Sequence, residues 1–84
     1  MLSRFSPKVI TAHNRADGEI IFLAEDDTWV SDIDDAEVLT DEADAQLRLL
    51  YAEQQERTVT RASLAEVSIT FSKITLDEPR AQSG

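Results

Sequence analysis

The sequence predicts an α+β fold: a small, mostly antiparallel sheet, made of an N-terminal hairpin or meander plus a C-terminal strand, with one helix packed on it. Three observations carry this. Two β-rich runs flank Asp17-Gly18, the pattern of a hairpin. Residues 41–56 show helical periodicity behind an acidic, capping start. Residues 64–71 alternate apolar and polar side chains, as a strand with one wet face does.

Pro7 lacks a backbone donor and restricts Ser6, so residues 1–7 read as an irregular lead-in. Residues 8–13 are rich in β-branched side chains and read as the first strand. Gly18 supplies the positive φ of a tight turn, and residues 19–23 form the second strand. Residues 28–30 complete a meander after the acidic turn Glu25-Asp26-Asp27. Asp32-Ile33-Asp34-Asp35 is loop-like, and residues 36–39 fit either a short strand or the approach to a helix.

Thr40 or Asp41 caps the helix, and Asp41, Glu42 and Asp44 suit its positive end. Ala43, Leu47, Leu50, Tyr51 and Gln54 are the expected buried face. Asp44–Arg48 and Glu53–Arg57 are the expected i, i+4 pairs opposite it. Arg57 and Thr58-Val59-Thr60 end the helix. In the last strand Val67, Ile69 and Phe71 point to the core and Glu66, Ser68 and Thr70 to water; Ile74-Thr75-Leu76 extends it or adds a short strand. Phe22, Phe71 and Tyr51 read as core. The domain spans 7–76, with flexible termini at 1–6 and 77–84.

The chain has 84 residues, 17 acidic and 8 basic, for a net charge of -9. Such a charge repels phosphate backbones and anionic membranes, so neither nucleic acid nor membrane is an expected partner. No apolar run is long enough for a signal or spanning segment, so a cytoplasmic protein is expected. The absence of cysteine removes disulfides, thiolate metal sites and a thiol nucleophile. The 2 glycines in the chain leave no phosphate-cradling loop or dinucleotide fingerprint. No Gly-x-Ser-x-Gly turn is present. An EF-hand loop starting at Asp32 fails, because Ala36, Glu37 and Ala43 stand where it needs an oxygen ligand, glycine and glutamate. No cofactor and no catalytic residue is expected.

What remains is recognition. Trp29 lies between two acidic loops. It suits either a core anchor or an interface hot spot. With Glu25, Asp26, Asp27, Asp32, Asp34 and Asp35 it forms the candidate partner-binding set, directed at a basic protein surface. A rival reading is a small metal-binding protein or enzyme using His13, the single histidine, with Asp17 or Glu19 beside it. A third is a structural homodimer formed through sheet edges.

Residues 7–14 (Pro-Lys-Val-Ile-Thr-Ala-His-Asn), 17–23 (Asp-Gly-Glu-Ile-Ile-Phe-Leu), Trp29 and 40–45 (Thr-Asp-Glu-Ala-Asp-Ala) together resemble a small bacterial family of unknown function, family 2849. The resemblance covers roughly residues 7–69 and rests on structural motifs. It departs from the family pattern at His13-Asn14 and after Ile69. It implies a genetic context, since such proteins are often encoded beside the siroheme and iron–sulfur subunit of assimilatory sulfite or nitrite reductase. The function expected is therefore a non-enzymatic accessory or docking module linked to sulfur assimilation.

Overall fold

A computed structural model describes residues 5–70 and 73–76. Among these residues one five-stranded antiparallel sheet carries one α-helix. The strands are β1 (Lys8–Asn14), β2 (Ile20–Leu23), β3 (Trp29–Val30), β4 (Val59–Thr70) and β5 (Lys73–Leu76), in spatial order β3-β2-β1-β4-β5. A 3₁₀ turn at Ile33–Asp35 and the helix α1 (Glu42–Glu53) lie between β3 and β4. The α+β expectation holds, as does the N-terminal meander.

The β1–β2 turn uses its polar residues as the sequence suggests, though the loop is longer than an Asp-Gly pair. Asn14 Oδ1 accepts from the Ala16 amide and Asp17 Oδ1 from the Glu19 amide. Gly18 sits at φ +76° with its amide bonded to the Asn14 carbonyl. In β1, odd and even residues face opposite ways. Ile10 and Ala12 join Ile21, Leu23, Ala45 and Ala52 beneath α1, with Leu49 packed against them. Val9 joins Phe22, Ala36 and Val67 on the other face, which the segment around the 3₁₀ turn covers.

Helix α1 is capped by Asp41, whose Oδ2 accepts from the Asp44 amide at 3.1 Å. Its inner face differs from the expected one. Ala45 and Ala52 are buried, Arg48, Leu49 and Tyr51 are half-buried, and Leu47 and Leu50 are 65 % and 53 % exposed. Small side chains at 45 and 52 let the helix backbone lie close to the sheet, and larger ones there would hold it off. The expected ion pairs also fail. Arg48 turns away from Asp44 towards Glu37, Asp27 and the Ala24 carbonyl, and α1 ends before Arg57 completes another turn.

Strand β4 begins at Val59, within the segment expected only to end the helix. His13 pairs with Thr60 and Thr11 with Ser63, so Arg61 and Ala62 together oppose Ala12 in a bulge. Arg61 takes the left-handed conformation there, φ +58°. The extra residue inverts the alternation: Val59 packs with Ala12 and Ile21, whereas Val67 packs with Val9 and Phe22 on the opposite face. Ile69 shares the face of Val67 but is 51 % exposed, because it lies at the far end of β4. Phe71 lies outside the described residues, as do residues 1–4 and 77–84. Phe5 packs against the cluster under α1, and Ser6 Oγ donates to Glu66.

Candidate functional site

The acidic residues singled out in the sequence gather at one end of the molecule, where the β2–β3 turn, the 3₁₀ turn and their flanks meet. Between Ala16 and Leu47 the chain contains no lysine or arginine. The field here is therefore set by carboxylates and by two cations that reach in from elsewhere, Arg48 of α1 and Lys73 of β5.

Hydrogen bonds hold four of the six carboxylates, Asp26, Asp27, Asp32 and Asp34. Asp26 Oδ1 accepts from the Thr28 hydroxyl at 2.6 Å and the Thr28 amide at 3.2 Å, closing an Asx turn. The Thr28 hydroxyl, then its amide, holds the fully exposed Asp26 carboxyl below the usual range. Asp27 occupies the left-handed region, φ 71°, and receives Arg48 Nη1 at 2.6 Å. Asp32 caps the 3₁₀ turn, accepting from the Asp34 amide at 2.9 Å. Asp34 Oδ1 accepts from the Ile74 amide at 3.2 Å, and its other oxygen lies 3.8 Å from Lys73 Nζ.

Arg48 is the organising cation. It donates to Glu37 Oε1 at 2.9 Å, to Asp27 and to the Ala24 carbonyl at 3.0 Å. Its guanidinium also lies 5.5 Å from the Tyr51 ring centre. Burial alone would lower its pKa; the hydrogen bonds and charges of Asp27 and Glu37 outweigh that and raise it. Sequence reasoning assigned Arg48 to Asp44, and nothing in local spacing signals a partner that lies 21 residues away.

Glu25, Asp26 and Asp35 line one shallow depression with Ala24, Thr28 and Val30. The Glu25 and Asp35 carboxylates have no cationic partner among the described residues. The expected set is thus divided: Glu25, Asp26 and Asp35 share a concavity, Asp27 is tied to α1, and Asp32 and Asp34 hold the 3₁₀ turn and β5. Trp29 is half-buried on the helix side, packed against the clusters of Ile10 and Leu23 and of Ala12, Ile21 and Val59. A separate apolar cleft of about 600 Å³ lies between Phe22, Ile33, Ile74 and Leu76, with Asp32 on its rim.

His13 is half-buried on β1, in register with Ile20 and Thr60. Asp17, its expected neighbour, is held in the hairpin turn by the Glu19 amide. Among the described residues no three histidine, aspartate or glutamate side chains converge to hold a metal. The outermost strands are short, β3 having two residues and β5 four, and β5 covers only Val67–Thr70 of β4. Asp34 occupies an amide of β5, which blunts that edge as a template for another strand. No helix among the described residues is long and apolar enough to cross a membrane.

The fold and this end define a small α+β protein with a carboxylate-rich surface. The chain belongs to the family described as protein of unknown function, DUF2849, whose profile matches residues 8–80. No curated protein and no solved structure matches it.

Proposed function

We propose that this protein is a non-enzymatic docking module of the cytoplasm whose carboxylate-rich end engages a basic protein surface. The observation that supports this best is the position of Glu25 and Asp35: two exposed carboxylates without cationic partners, beside Asp26 and in a stretch devoid of lysine and arginine. Charges of this kind steer encounter and select against acidic partners without any deep pocket. The 3₁₀ turn and the Asx turn hold them on rigid backbone, so little conformational entropy is lost on binding. Trp29 is half-buried on the helix side and does not line that depression, so the contact there is chiefly ionic.

The genetic context that the family resemblance implies points to the siroheme subunit of an assimilatory sulfite or nitrite reductase as the basic surface. The test is an NMR titration of the isotopically labelled protein with that purified subunit. Amide shifts at 24–37 that vanish as salt is raised from about 50 mM to about 300 mM support the proposal. An unchanged spectrum at low salt rejects the reductase as partner.

A further inference from the structure

Helix α1 has two apolar stripes, and only one is used by the fold. Ala45, Leu49 and Ala52 face the sheet at i, i+4, i+7 spacing. Ala43, Leu47 and Leu50 repeat that spacing two residues earlier, about 200° further round the helix. This outer stripe therefore points straight away from the core, and its two leucines are 65 % and 53 % exposed. Acidic side chains flank it on both sides: Asp44 on one, Glu42 and Glu53 on the other, all exposed. Arg48, the helix's single cation, is drawn inward by Glu37, Asp27 and the Ala24 carbonyl. The outer face is left apolar along its middle and purely negative at its margins.

From this charge pattern we infer that the outer face of α1 docks an amphipathic helical segment of a partner protein, with an apolar stripe flanked by lysine or arginine. Leucines of the partner would lie along Leu47 and Leu50, and its cations would meet Asp44, Glu42 and Glu53. A second copy is a poor occupant. Pairing two such faces across a twofold axis sets like margins against each other on chains that each carry -9. The inference rests on the docking reading for the sign of the partner's charge, but it places the apolar contact on α1 and away from Trp29.

The probe is a synthetic leucine–lysine peptide with helical periodicity, set against a scramble of the same composition, in an NMR titration of the full chain. Shifts centred on residues 43–54, given by the periodic peptide and not the scramble, are expected. Binding of the periodic peptide should weaken about tenfold or more in the double variant Leu47→Gln/Leu50→Gln, with its helix signal unchanged by circular dichroism. Shifts confined to 24–37 with undiminished affinity in that variant would overturn the inference and leave the acidic docking end standing. Binding of neither peptide at low salt would overturn the inference, while the acidic docking end is tested separately with the reductase subunit. Self-association of the free protein that the double variant abolishes would assign the face to a second copy and overturn the inference.

Discussion

Arg48 on α1 donates to Glu37 at 2.9 Å, tying the helix to the segment that crosses from the 3₁₀ turn towards it. The same guanidinium bridges to Asp27 in the β2–β3 turn. One side chain thus locks three parts of the acidic end together. Replacing it with methionine keeps the stem but leaves Glu37, Asp27 and the Ala24 carbonyl without their donor. The expected loss is about 1–2 kcal/mol, after discounting for partial exposure. Arg48→Lys restores only part of it, since a point charge cannot fork to three acceptors. Urea denaturation measures both, and equal stability of Arg48→Met and the parent would contradict the role.

The two faces of α1 make opposite predictions. Leu47→Gln or Leu50→Gln should change stability by no more than about 0.5 kcal/mol, because both side chains already face water. Ala45→Leu should cost about 1–3 kcal/mol, because the site is fully enclosed between helix and sheet. The reverse ranking in a thermal melt would restore the face that simple hydrophobicity suggests.

Backbone conformation gives a matched pair. Gly18 (φ +76°) has open space around its missing Cβ, so Gly18→Ala pays only the left-handed backbone penalty, about 1 kcal/mol. Arg61 already bears that penalty at φ +58°, so Arg61→Gly should stabilise by up to about 1 kcal/mol. Arg61→Val should destabilise, because a β-branched side chain fits this region worse. Denaturant midpoints of the three variants check the signs.

Asp26 supplies a pH test. Its folded-state pKa lies below its unfolded value because the Thr28 hydroxyl and amide bond to the carboxylate. Its contribution to stability is therefore complete above about pH 4 and is lost as pH falls through the lowered folded value. Thr28→Val removes the hydroxyl and should raise the Asp26 pKa towards 3.8, followed by the carboxyl carbon shift. An unmoved titration would show that the hydroxyl is not the cause.

The strands, the turn at Gly18 and the cap at Asp41 are legible in the sequence because each depends on neighbours a few residues apart. The inner face of α1 is not, since alanines at 45 and 52 carry a weak apolar signal while the large leucines at 47 and 50 carry a strong one. Whether a stripe is covered depends on close approach to β1 and β4, which no local pattern encodes. The start of β4 is hidden for a different reason. The bulge at Arg61 breaks the period of two, so Val59 falls out of step with the alternation from Leu64 onward. At the acidic end the residues themselves stand out, but their division of labour does not. That Asp34 serves β5 and Asp27 serves α1 follows from contacts 40 and 21 residues apart in the chain.

The docking claim stands most directly on the charges of Glu25, Asp26 and Asp35. Neutralising them together, as Glu25→Gln/Asp26→Asn/Asp35→Asn, leaves Arg48 and both turns their hydrogen-bond partners. Affinity for the purified siroheme reductase subunit, measured by calorimetry at about 50 mM and about 300 mM salt, should fall at least about tenfold in the triple variant at low salt. The two proteins should converge at high salt. Equal affinities at low salt would show that these carboxylates take no part in recognition.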